Sequence, residues 1–212
     1  MKYISFLQNI YQSIGQTNLF KNNFKTINNH SSYIFHISQL KNERLISSSS
    51  DNTLNIYKKD SFELQLSIKE HSSCVRCFIQ LQNNKIVTCS DDKTMNIISL
   101  TNEDKYNLEQ KLQGHSSYVL NVIEIRENEL ISVSYDKTMK KWKIKNDNKY
   151  ECTKTIAFQN SQSFCNILKL NENEFVTSSC DDKCLKFWNS NDYSNISTIN
   201  NIEVEWTFRN YL

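Results

Sequence analysis

Residues 115–142 read HSSYVLNVIEIRENELISVSYDKTMKKW, and this stretch decides the fold because it recurs. The triplet His–Ser–Ser stands at His30, His71 and His115, and an aspartate follows each 21 residues later, at Asp51, Asp92 and Asp136. Ile34, Val75 and Val119 sit four residues past each His, and Ser47, Thr88 and Ser132 four before each Asp. A period of 41 to 45 residues means stacked supersecondary units, none able to bury its apolar face alone.

A fourth copy is weaker. Asn160, Phe164, Ile167, Leu170, Thr177 and Trp188 follow the third copy at a shift of 45, rising to 46. The extra residue falls in the turn, so either Asp181 or Asp182 takes the Asp position. Asn160 replaces His with another hydrogen-bonding side chain.

Within each period the pattern predicts short antiparallel strands. In copy three these are Tyr118–Glu124, Glu129–Val133 and Thr138–Trp142, with Leu108–Lys111 just upstream of the His. Val119, Asn121 and Ile123 share one alternation, and turn residues fill Arg126–Asn128 and Tyr135–Asp136. With two Gly and no Pro in 212 residues, asparagine is expected to supply left-handed turn conformations at Asn83–Asn84, Asn128 and Asn171–Asn173.

The scheme resembles the WD-repeat β-propeller family, whose blades follow a His, Ser/Thr, Asp–x–Thr and Trp order. Copy three matches as His115, Ser132, Asp136, Thr138 and Trp142, and copy one as His30, Ser47, Asp51, Thr53 and Tyr57. Copy two has His71, Thr88, Asp92 and Thr94, with Ile98 in the Trp place; copy four retains Asn160, Thr177, Asp181 and Trp188. No Trp is followed by Asp, since Lys143 follows Trp142 and Asn189 follows Trp188, and Gly precedes His only at Gly114.

The resemblance implies an all-β propeller of four blades, at about 30–68, 71–112, 115–157 and 160–200 within a segment 24–212. Orphan strands stand at its ends: an outer one at Phe24–Asn28, and an inner one at Ile202–Phe208 within a partial blade 201–212. Four blades are fewer than the roughly seven that commonly close such a ring, so the expectation is an open propeller, or one completed by another chain or by self-association. Residues 1–23 form an N-terminal extension. Tyr3, Ile4, Leu7, Ile10, Tyr11 and Ile14 have helical spacing, although an irregular tail or a further strand fits as well.

Ser, His and Asp are also the parts of a hydrolytic triad. A catalytic set is needed once, whereas this one repeats with every blade, so it reads as a structural hydrogen-bond network in a non-enzymatic chain. No catalytic residue, cofactor or metal is expected. Cys74–x–x–Cys77 has no second pair, and its odd spacing on a strand would send the two thiols to opposite faces. Seven irregularly spaced cysteines suggest free thiols and an intracellular, cytoplasmic setting, with the nucleus left open.

A formal charge of +2 with dispersed lysines, including Lys137, Lys140, Lys141, Lys143 and Lys145, argues against nucleic acid. No stretch approaches the ~20 apolar residues of a membrane-spanning helix. Clustered glycines for a phosphate-binding loop are absent.

In the resembling family partners dock beside the His and Asp turns, on residues three and five after His and the one before Asp. Here those include Tyr33, Phe35, Arg76, Asp91, Tyr118, Leu120 and Tyr135, together with Ser50, Cys74, Ser163, Cys165 and either Cys180 or Asp181. Aromatics and Arg, the residues of interaction hot spots, are enriched among them. The expected function is a protein- or peptide-binding scaffold for complex assembly, the alternatives being a fragment completed by another chain and an enzyme.

Overall fold

A computed structural model describes residues 26–102, 104–145, 147–157, 164–179 and 183–200. They form sixteen strands in four antiparallel sheets, each following chain order from its inner to its outer edge. The first sheet contains β1 (Ile34–Gln39), β2 (Leu45–Ser49), β3 (Leu54–Tyr57) and β4 (Leu64–Ile68). The second contains β5 (Val75–Gln80), β6 (Ile86–Ser90), β7 (Met95–Asn102) and β8 (Lys105–Leu112). The third contains β9 (Val119–Arg126), β10 (Glu129–Ser134), β11 (Thr138–Ile144) and β12 (Tyr150–Ala157). The fourth contains β13 (Phe164–Lys169), β14 (Glu174–Ser179), β15 (Cys184–Asn189) and β16 (Asn195–Ile199).

The sheets are the blades of a propeller. Sequence repeat and blade are out of phase: the strand just before His115, β8, pairs with β7 and completes the second blade. By the same logic Phe24–Asn28 would be an outer strand, but its described part, Thr26–Asn28, is not in a strand. Phe24, the inner strand proposed at Ile202–Phe208 and the extension 1–23 lie outside the described residues.

Inner strands stand side by side, β1 against β5, β5 against β9 and β9 against β13; among the described residues no comparable packing joins the first blade to the fourth. Three apolar layers fill the gaps. Between blades one and two, Leu40, Ile46, Leu54 and Ile56 meet Phe78, Ile86 and Ile98. Between two and three, Leu81, Val87 and Met95 meet Val122, Leu130 and Trp142. Between three and four, Ile125, Ile131 and Met139 meet Ile167, Phe175 and Trp188. Every internal blade therefore buries both faces, as near-continuous burial along β6 and β10 requires.

Left-handed turn positions are only partly asparagine. Asn84 and Asn128 adopt positive φ as expected, but Asn171–Asn173 do not, and Glu43 takes the equivalent place in blade one. The residue after each Asp is left-handed too, as Asn52, Lys93, Lys137 and Lys183. Lysine tolerates that region poorly, and the Asp turn holds it there: Asp136 Oδ1 accepts bonds from the Thr138 amide at 2.9 Å and its hydroxyl at 2.6 Å.

Candidate functional site

The recurring polar residues converge inside each blade. In blade three the Trp142 indole N–H donates to Ser132 Oγ at 2.8 Å, Ser132 Oγ lies 2.7 Å from His115 Nε2, and His115 Nδ1 lies 2.7 Å from Asp136 Oδ2. The indole N–H donates to the Ser132 oxygen, and the Asp136 carboxylate only accepts, so the proton of that contact sits on His115 Nδ1. Asp136 also accepts the Ser116 amide at 3.0 Å.

Blade one repeats the set with His30–Asp51 at 2.9 Å, His30–Ser47 at 2.7 Å and Tyr57–Ser47 at 3.2 Å. Blade two has His71–Asp92 at 2.8 Å and His71–Thr88 at 2.7 Å, and Ile98 leaves its network one member short. In blade four the Trp188 indole donates to Thr177 at 2.8 Å. Its other candidates, Asn160, Asp181 and Asp182, lie outside the described residues. Cys184, paired with Ser179, stands at the place of Thr138 in blade three.

Gly114 precedes the His of the blade that combines His and Trp. Its φ is +152°, and a Cβ there would stand 3.3 Å from the Trp142 ring. Where Tyr57 or Ile98 replaces Trp, the corresponding residues are Asn29 and Glu70.

Burial raises the pKa of each turn aspartate, but bonds from His, Thr and backbone amide outweigh it. Asp51 is held at about 2, with Thr53, Ser31 and His30 as donors, and Asp92 and Asp136 lie further below the usual carboxylate range. A depressed folded-state pKa stabilises above the unfolded value of roughly 3.9 and loses that contribution as pH falls through the folded value. Chemical-denaturation midpoints should be level above about pH 5, fall steadily from about pH 4 toward 2, and fall less in Asp136→Asn. A midpoint unchanged down to pH 3 would show that these carboxylates carry no such linkage.

Ser132, His115 and Asp136 have the connectivity of a hydrolytic triad, but the hydroxyl is fully buried and its oxygen is already engaged by Trp142. No substrate carbonyl can approach it. Cys77 of the C-x-x-C pair is likewise buried, and burial pushes its thiol up to about 12, against nucleophilic use. Among the described residues no His/Cys/Asp/Glu group is placed to hold a metal ion, and no helix is long and apolar enough to cross a membrane. Among the described cysteines, those at 74, 77, 89 and 152 are free thiols. Cys165 departs from the expected free thiols: it is disulfide-bonded, with its partner outside the described residues.

The docking candidates are drawn together by a second repeated bond. The residue before each Asp donates its amide to the carbonyl three residues after His: Ser50 to Tyr33 at 2.8 Å, Asp91 to Cys74 at 3.0 Å and Tyr135 to Tyr118 at 3.0 Å. Each bond sets the two side chains side by side at the turn-bearing end of the blade. Tyr118 and Tyr135 meet edge to face at 6.1 Å and remain 44% and 47% exposed. Across blades one and two, Arg76 makes a two-pronged bond to Asp91, both contacts at 2.7 Å, and lays its guanidinium 4.6 Å above the Phe35 ring. Burial works against the Arg76 charge, but Asp91 outweighs it and raises the pKa. Tyr33 is exposed and Leu120 half-buried. Ser163 and Cys180 lie outside the described residues.

Sequence reasoning missed one repeated feature. Phe62, Tyr106, Tyr150 and Tyr193 precede or begin the outer strands at spacings of 44, 44 and 43. Tyr106 donates to Glu70 at 2.8 Å, the Tyr150 backbone exchanges two bonds with Gln110 of blade two, and Tyr193 lies under Lys141 and Lys154 of blade three. Tyr106, Tyr150 and Tyr193 thus each seat their blade on the preceding one.

Among known proteins, the family model for the WD domain, G-beta repeat, matches residues 21–58 and 62–99. The crystal structure of the WD40 beta propeller domain of Doa1 is similar in fold, with a TM-score of 0.65 and 20% sequence identity. The match covers 79% of this chain and 54% of that one, so the chain spans about half the length of that structure. No curated protein matches the chain in sequence.

Proposed function

The chain is a WD-repeat protein, and we propose that it is a non-enzymatic scaffold that binds a protein or peptide on its turn-bearing face. WD40 propellers generally mediate protein–protein interaction. The observation that favours this face is the exposed Tyr118–Tyr135 pair beside the Arg76–Asp91–Phe35 stack. Rigid aromatics lose little conformational freedom on binding, and Arg76 is already oriented by Asp91, so the surface is pre-organised. A segment with an apolar side chain to cover the tyrosines and an acidic group for Arg76 fits it.

Tyr118→Ala with Tyr135→Ala should leave the thermal midpoint within about 2 °C, because both rings are exposed. The same variant should lose the proteins retained by the wild-type chain, read by quantitative affinity enrichment with both baits in parallel. An unchanged retained set would remove this face from the account. Intracellular, cytoplasmic action and a role in complex assembly belong to the same proposal.

A further inference from the structure

Blade three departs from blades one and two on the face it turns to the following blade. Opposite Ile46 and Val87, strands β3 and β7 carry Ile56 and Ile97, at most 2% exposed; opposite Ile131, β11 carries Lys141. One strand further out the matching residues are Leu66, Gln110 and Lys154. A lysine in an apolar layer gives up hydration, and such a break in a repeated pattern marks a place where the charge has a use. Four cations meet at this junction. Lys141 and Lys143 hold Glu129 at 3.0 and 2.9 Å, Arg126 donates to Ser190 at 3.0 Å and Asn191 at 2.6 Å, and Lys154 donates to the Asp192 carbonyl at 3.0 Å. Against these four stand two carboxylates, Glu129 and Asp192, so two positive charges are in excess. The Tyr193 ring lies under Lys141 and Lys154, at 5.6 and 4.8 Å. Tyr193 is 7% exposed, and its hydroxyl has no partner among the described residues. Burial, and after it Glu129, push this phenol up to about 12, so it keeps its proton and can donate it to an acceptor. At the preceding junction Tyr150 also leaves its hydroxyl unpartnered, but Ile97 and Gln110 stand where Lys141 and Lys154 do here.

We propose that the junction of blades three and four binds a tetrahedral oxyanion of the phosphate class, at a site separate from the tyrosine face. A dianion matches the excess charge. Lys143, 55% exposed, and Lys154, also exposed, are open to solvent, and an ammonium group has donors beyond the single bond each makes here. Arg126 supplies the planar fork that suits phosphate oxygens, and Tyr193 a neutral donor. Glu129 holds Lys141 and Lys143 in place while leaving the site positive.

The test is equilibrium dialysis of the chain against radiolabelled inorganic phosphate, with sodium chloride holding the ionic strength fixed. One saturable phosphate per chain is expected. Lys143→Gln should weaken it about tenfold, and Tyr193→Phe, which keeps the ring under the lysines, about fivefold, as loss of a charge-assisted and of a neutral hydrogen bond requires. Lys140→Gln is the control: alternation places Lys140 on the opposite face of β11, where it donates to Thr155 at 2.9 Å, and uptake should be unchanged. Competition by phosphoserine assigns the source of the anion, displacement marking a phosphate ester and its failure the free ion. Absence of saturable uptake at millimolar phosphate, uptake indifferent to both Lys143→Gln and Tyr193→Phe, or an equal loss in Lys140→Gln, which marks a diffuse field over blade three, would each overturn the site. The tyrosine face takes no part in this readout, so the site can fail while the scaffold reading stands.

Discussion

Asp136→Ala is expected to lower the thermal midpoint by roughly 10 °C, from a loss of about 3–5 kcal/mol at about 2–4 °C per kcal/mol for a chain of this size. The carboxylate takes four donors: His115 Nδ1, the amides of Ser116 and Thr138, and the Thr138 hydroxyl. Its removal leaves them without a partner in a nearly dry turn, where each orphaned group costs about 1–3 kcal/mol. The neighbouring Lys137, held left-handed by the same turn, loses its restraint. Asp136→Asn keeps acceptor oxygen and shape and should lose less. The measurement is calorimetry on both variants, and a shift of about 2 °C or less for alanine would make the network incidental.

Trp142→Ala is expected to cost a similar amount, about 3–5 kcal/mol, by a different route. The indole is 2% exposed in the layer between blades two and three, against Val87, Met95 and Leu112 of blade two. Truncation leaves a cavity where the two blades meet, and it also frees the Ser132 hydroxyl to turn away from His115. Trp142→Phe separates the effects, since it retains much of the packing and loses only the indole donor, at a cost of about 1 kcal/mol. Denaturant titration of the two variants distinguishes them. If phenylalanine costs as much as alanine, the hydrogen bond outweighs the packing.

The His and Asp positions were legible because sequence spacing there is fixed by geometry. Antiparallel pairing of β9 with β10 carries Asp136 back beside His115, and equal strand and turn lengths keep the spacing in three copies. The fourth copy is less legible at the same point, because one inserted residue in the turn makes Asp181 and Asp182 equivalent in sequence. The aromatics at Phe62, Tyr106, Tyr150 and Tyr193 have an equally regular period. Alternation within strands does not reveal them, because these residues sit where a turn enters the outer strand, two of them at positive φ.

The docking face was legible as positions and not as contacts. Family resemblance points to Arg76, Asp91 and Phe35, but nothing in sequence tells that Arg76 crosses from its own blade to stack on Phe35 while gripping Asp91. Left-handed turns were assigned to asparagine on intrinsic preference, and lysine takes several of them because the Asp bonds override that preference. The disulfide at Cys165 had no signature in cysteine spacing.

The central claim is that His115 and Asp136 act as one structural unit in the blade. A double-mutant cycle by denaturant unfolding, with His115→Ala, Asp136→Ala and the pair, measures this most directly. Strong non-additivity is expected, with the double variant little less stable than either single one and a coupling above about 1 kcal/mol. Costs that add to within about 0.5 kcal/mol would mean that the two side chains stabilise the blade independently, and would contradict the account.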